Sequence, residues 1–88
     1  MSCTVRVASP LRSYTEGAAK VAAEGATLAQ VLGDLERRFP GIRFRMIDEQ
    51  GRIRPHMRLY VNTIEAQALD APIAGGDTVH VICALSGG

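Results

Sequence analysis

The chain of 88 residues carries 10 Lys+Arg against 9 Asp+Glu, a formal charge of +1, with 47% hydrophobic and 22% charged residues. That size accommodates one modest core and excludes a second domain, and no apolar run approaches the roughly 18 residues that a membrane-spanning helix needs. The first residues lack a basic-then-apolar signal pattern, so a cytoplasmic chain that engages no membrane is expected, and the near-neutral balance gives no reason to expect nucleic acid.

Residues 4–8, Thr-Val-Arg-Val-Ala, alternate polar and apolar at the period of a half-buried strand. Ser9-Pro10 interrupts that strand, because proline lacks the N–H a ladder requires, and the segment through Tyr14 and Gly17 reads as a turn. An alanine-rich return strand is expected over 18–23. Thr27 and Gln30 have the spacing of a capping box and open a helix predicted over 28–39. Leu28, Val31, Leu32, Leu35 and Phe39 form one apolar stripe, which leaves Gln30, Asp34, Glu36 and Arg37 to water. Arg37 and Arg38 suit the negative end of the helix dipole, and Pro40-Gly41 stops the helix.

From Ile42 to Met57 the periodicity is lost, apart from a short turn over 43–47, and a long connection punctuated by Gly51 and Pro55 is expected. Residues 58–62 alternate again, with Leu59 and Val61 on one face and Tyr60 on the other. A turn at Asn62-Thr63, a short piece through Ala68 and a Gly75-Gly76-Asp77 turn lead to a last strand over 78–84, with Val79, Val81 and Cys83 inward.

This order predicts an α+β chain of the β-grasp type, in which a mixed four- to five-stranded sheet packs on one main helix. Its first and last strands run parallel at the centre of the sheet. A ferredoxin-like split β-α-β fold competes, and the N-terminal hairpin favours β-grasp. The whole of 1–88 forms one domain, ending in a flexible tail from about residue 84. The topology puts Cys3 and Cys83 at opposite edges, so no disulfide is expected. Neither cysteine spacing nor His56 and His80 suggests a metal site.

Seven arginines between Arg37 and Arg58 (37, 38, 43, 45, 52, 54 and 58) face only Asp48 and Glu49, a local excess of +5. A solvated connection and a docking surface for an acidic partner both fit this run. RNA fits less well, since only Phe39, Phe44 and Tyr60 could stack with bases. No phosphate loop, nucleophile elbow, zinc-protease motif or working carboxylate pair occurs, which argues against a self-contained enzyme. By alternation Arg6, Tyr60, His80 and Ile82 point away from the helix, either as a docking face or as ordinary scattered surface. The chain finishes at Ala84-Leu85-Ser86-Gly87-Gly88, which by composition is either a disordered end or a slender tail able to carry a carboxylate into another protein.

The Thr-capped helix ending at Phe39-Pro40-Gly41, then Tyr60-Val61-Asn62, then Gly76-Asp77-Thr78-Val79, and Leu85-Ser86-Gly87-Gly88 at the end, together resemble the ubiquitin-like MoaD/ThiS family of sulfur carriers. The likeness spans nearly the whole chain. It implies a protein co-substrate rather than an enzyme. Gly88 would be the reacting residue, with its carboxylate adenylated by a ubiquitin-activating-type enzyme and converted to a thiocarboxylate. Leu85, Ser86 and Gly87 would thread the tail into that partner, with Arg6, Tyr60, His80 and Ile82 as its docking face. No cofactor would be bound by the chain itself, Mg-ATP being used by the activating enzyme, and a downstream biosynthetic enzyme would accept the sulfur.

The arginine-rich connection resembles carriers serving cysteine or specialised-metabolite synthesis. The small subunit of molybdopterin synthase and a protein modifier conjugated through Gly88 are the alternatives, and a β-grasp binding module with an incidental Gly-Gly end is a third. Two departures stand out: Ile82-Cys83-Ala84 replaces the proline many relatives carry before the tail, and Asn62-Thr63 replaces Asn-Gly. Cys83 is either a packed strand-end residue or a trap for the activated acyl group as an internal thioester.

Overall fold

The computed structural model describes residues 2–83. Five strands, β1 (Ser2–Arg6), β2 (Lys20–Glu24), β3 (Met57–Val61), β4 (Ile64–Glu65) and β5 (Thr78–Cys83), form one sheet in the order β2-β1-β5-β3-β4. Two helices, α1 (Leu28–Arg38) and α2 (Ile42–Met46), connect β2 to β3. β1 and β5 pair in parallel at the centre and every other pairing is antiparallel, which is the β-grasp arrangement. The tail expected from residue 84 lies outside the described residues.

The apolar residues of each strand fall on one face because side chains alternate. Cys3, Val5, Leu59, Val79 and Val81 are buried against Leu28, Val31, Leu32 and Leu35 of α1. β1 begins two residues earlier than expected, since Cys3 continues the period set by Val5 and Val7. β2 is shifted late, to Lys20–Glu24, and the Val7 N–H still donates to the Ala19 carbonyl at 2.8 Å. Pro10 sits in a single 3-10 turn over Ser9–Leu11 that buries Leu11.

At the start of α1, the Thr27 hydroxyl accepts the Gln30 N–H at 3.3 Å, as expected of an N-cap. The return half of the box differs, because the Gln30 side-chain Oε1 accepts from Ala26 N–H at 2.7 Å rather than from Thr27 N–H. Two further helix N–H groups are satisfied by the loop before β5: Leu28 donates to the Ala71 carbonyl (2.9 Å) and Ala29 to that of Leu69 (2.8 Å). Gly25, between β2 and α1, runs so close to the first turns of the helix that a Cβ there would lie 2.7 Å from the Val31 nitrogen.

Asp34 corrects the assignment of that side chain to water: it is buried. Its Oδ2 accepts the Glu24 N–H at 3.0 Å, and both Arg37 and Arg38 pair with it. Arg38 also donates to the Ala22 carbonyl, so one carboxylate and one guanidinium bind α1 to the edge strand β2. The weak alanine-rich strand is thereby held from the side. Glu36 is likewise engaged, accepting the N–H groups of Gly41 (2.9 Å) and Arg43 (3.0 Å) at the start of α2.

The connection from 42 to 57 is more ordered than the sequence suggests. Ile42, Met46 and Ile47 are fully buried and make α2 part of the core. At the β3–β4 turn the left-handed conformation falls on Asn62, with φ of 57°, and not on Thr63, so the departure from Asn-Gly carries no β-branched strain. Asp77 then closes the turn before β5, accepting from the Ala74 N–H (2.8 Å) and from Asn62 Nδ2 (3.1 Å).

The backbone N–H groups that Glu36, Asp48 and Asp77 accept hold all three carboxyls below the ordinary carboxylate range. Each therefore binds protons less readily folded than unfolded. Their stabilisation is complete above the ordinary carboxylate pKa near 4 and is lost as pH falls through the depressed values. The urea midpoint is expected to stay nearly level from about pH 7 to 5 and to fall below about pH 4, and a midpoint unchanged through that acid limb would contradict this linkage.

Candidate functional site

The face of the sheet opposite α1 is open. Strand register places Lys20 beside Arg6, Arg6 beside His80, His80 beside Tyr60 and Tyr60 beside Glu65, giving one row across all five strands. Adjacent strands lie about 4.8 Å apart, so neighbouring side chains in this row are within contact range. Ile82 follows in the next row beside Arg58 and is 45% exposed, while His80 and Tyr60 are half-buried. The four residues singled out by alternation, Arg6, Tyr60, His80 and Ile82, are thus brought onto one surface by β1, β3 and β5.

Sequence reasoning missed the ends of the row. Lys20 lay within the expected strand but its place beside Arg6 depends on the β1–β2 register, and Glu65 escaped notice because β4 is only two residues long. Glu65 also accepts an ion pair from Arg58, at 3.5 Å, linking the two rows. The face therefore grades from basic at β2 to acidic at β4, with an aromatic and an aliphatic group between. An exposed surface of that kind suits a protein interface with a small apolar centre and a charged rim.

Above this face, a cleft of about 410 Å³ opens where β1 and β5 end. Arg6, Arg12, His80, Ile82 and Cys83 contribute to its lining. Arg12 is fixed there by a 3.0 Å bond from its Nε to the Val7 carbonyl. The last described residue, Cys83, is half-buried and packs against the core, which places it as a strand-end packing residue. Leu85, Ser86, Gly87 and Gly88 lie outside the described residues.

Cys3 is buried and free, and burial raises its thiol pKa, which keeps it protonated. Cys3 and Cys83 stand at opposite ends of two neighbouring central strands rather than at opposite edges of the sheet. Among the described residues no group of three His, Cys, Asp or Glu could hold a metal ion. No helix there is long and apolar enough to cross a membrane.

Residues 5–88 match the model of the ThiS family. The chain belongs to the ThiS family. It is 36% identical, over the whole length of both chains, to proteins named sulfur carrier protein CysO from Mycobacterium tuberculosis and Mycobacterium bovis. The crystal structure of Mycobacterium tuberculosis CysO superposes with a TM-score of 0.89 at 34% identity, covering 94% of this chain and 99% of that one. A CysO complex with BexX from Amycolatopsis orientalis gives a TM-score of 0.90 at 32% identity, covering 98% and 99%. SAMP1 from Haloferax volcanii, 24% identical with full coverage of both chains and a TM-score of 0.83, shares the ubiquitin-like fold. As a ThiS-family β-grasp protein, the chain has the architecture expected from its element order.

Proposed function

We propose that this protein is a sulfur carrier whose reacting group is the carboxylate of Gly88. Full-length similarity to the CysO sulfur carriers carries this reading, and the family match extends through the terminal Gly87-Gly88. The role is that of a co-substrate: the chain presents a carboxylate, and partners supply the catalysis.

A carboxylate is a poor acceptor for a nucleophile because its leaving group would be oxide. An activating enzyme using Mg-ATP converts Gly88 to an acyl-adenylate with release of pyrophosphate, so that AMP becomes the leaving group. Sulfide, or the terminal sulfur of a persulfide with subsequent reduction by a thiol, attacks the acyl carbon and expels AMP. The product is a thiocarboxylate, whose sulfur is a softer and stronger nucleophile than the oxygen it replaces. A downstream biosynthetic enzyme takes that sulfur, and hydrolysis of the acyl product restores the carboxylate. Gly87 and Gly88, without Cβ atoms, give the terminal backbone the slenderness that a narrow catalytic channel demands.

The open row of Arg6, His80 and Tyr60 with neighbouring Ile82 serves as the docking face in this reading. Ile82 lies next to Cys83 at the end of β5, so a partner seated on the face also reaches the last residues of that strand. The relative in the BexX/CysO complex supports such pairing with a second protein.

The test is the intact mass of the protein after incubation with an activating enzyme, ATP and sulfide. A gain equal to one sulfur replacing one oxygen, absent when Gly88 is deleted, is the expected result. No mass change with an enzyme that demonstrably adenylates a CysO carrier would overturn the proposal, as would lysine-linked conjugates in place of the sulfur adduct.

A further inference from the structure

The arginine-rich connection is not uniformly solvated. Arg37 and Arg38 are committed to Asp34, Arg52 to Asp48 and Arg58 to Glu65. Arg43, Arg45 and Arg54 make no ion pair among the described residues. Two of these, Arg45 and Arg54, share a shallow cleft of about 220 Å³ with Phe44 and His56.

Phe44 lies on the side of α2 opposite buried Ile42 and Met46, and its ring is 57% exposed. Arg54 is stacked on it, with its guanidinium carbon 4.5 Å from the ring centroid, while its Nε donates to the Phe44 carbonyl at 2.7 Å. The Arg54 N–H also donates to the Met46 carbonyl at 2.9 Å. An aromatic ring and a planar cation are thus held together on a buried base, so little conformational entropy is left to lose on binding.

We propose that Phe44, Arg45, Arg54 and His56 form a docking surface for an acidic peptide segment of a partner protein, one that carries apolar side chains among its carboxylates. The Phe44 ring supplies apolar contact and the guanidinium groups supply charge-assisted hydrogen bonds to Asp or Glu. Of the nearby acidic groups, Asp48 acts on Arg54 through its charge without forming an ion pair with it. Asp48 is occupied by the Gln50 and Arg52 N–H groups and the Arg52 side chain, which leaves exposed Glu49 as the other carboxylate of this segment.

This surface lies on the α2 side of the sheet, away from the row of Arg6, His80 and Tyr60. Its position is still relevant to the tail, because His56 directly precedes β3 and Met57 pairs with Cys83. A partner could therefore engage the patch at the end of the sheet where β5 finishes while the open face is occupied by another protein. RNA is the weaker fit, since Phe39 is covered by Arg38 at 5.3 Å and Tyr60 is on the opposite face.

The proposal does not depend on sulfur chemistry, and its test needs none. The isotope-labelled full-length protein is titrated with a short Glu-rich peptide containing a central Leu-Phe pair, and separately with an oligouridylate of equal charge. Amide shifts are expected at residues 42–47 and 52–57, with salt-sensitive affinity that falls at least about tenfold in a Phe44→Ser/Arg45→Glu variant. Both replaced side chains are exposed and the Phe44 carbonyl is retained, so the variant keeps its fold. Shifts centred on Arg6, Arg12 and Lys20, equal affinity of the variant, or tighter binding of the oligouridylate would each overturn the proposal.

Discussion

If the open face docks the activating enzyme proposed above, Tyr60→Asp is expected to weaken that binding by at least about 30-fold while leaving the fold intact. Tyr60 lies mid-row on the open face, between His80 and Glu65, and is half-buried. A ring so placed needs little ordering on complex formation, which is the behaviour of an interface anchor. Aspartate removes the apolar area and sets a second carboxylate beside Glu65, at the point where a partner would have to strip away water. Losing one anchor costs at least about 2 kcal/mol, a drop of roughly 30-fold, and the desolvated charge adds to it. Calorimetric titration against the activating enzyme measures the loss, and circular dichroism checks the fold. Unchanged affinity would remove the open face from the docking model, whereas Tyr60→Phe should bind nearly as well as the natural chain.

Asp34→Ala is expected to cost about 1 to 3 kcal/mol of folding stability, dominated by the lost hydrogen bond between the carboxylate and the Glu24 N–H. The carboxylate is the acceptor for the Glu24 N–H, which belongs to the edge strand β2, and an alanine methyl cannot take that role. The ion pairs with Arg37 and Arg38 add less, because both guanidinium groups reach solvent. An 88-residue domain has only about 4 to 13 kcal/mol in all, so the change would be a substantial fraction of the total. Urea unfolding measures it. Asp34→Asn should recover part of the loss, since an amide oxygen can still accept the Glu24 N–H, and equal losses in both variants would assign the effect to charge instead.

Asp34 also shows how far a pattern in one chain can be read. It lies three residues after Val31 and beside Leu35, on the flank of the apolar stripe, yet its charge suggested exposure. What draws it inward is a donor on another element, the Glu24 N–H, and a helix pattern does not reveal that partner. The same holds for α2, which at five residues is too short for the spacing of Ile42, Met46 and Ile47 to repeat, and these side chains join the core. The strands were legible because alternation is local, and the open row followed from it. The row's extremes, Lys20 and Glu65, depended on register, which is set by turns and pairings rather than by either strand alone.

The central position of β5 sets an order on the birth of the molecule. Its neighbours are β1, made first, and β3, made late, so the sheet is split into two halves until residues 78–83 arrive. Before then β1 with β2 and β3 with β4 are isolated hairpins, each too small to be stable alone. Joining Thr4 to Thr78 closes a loop spanning most of the chain, and contacts of such high sequence separation slow folding. A ribosome that stalls before residue 78 therefore releases a fragment that cannot complete its sheet and is open to proteolysis. A protease-resistant molecule has thus been translated at least through β5, the strand that joins the two halves of its sheet.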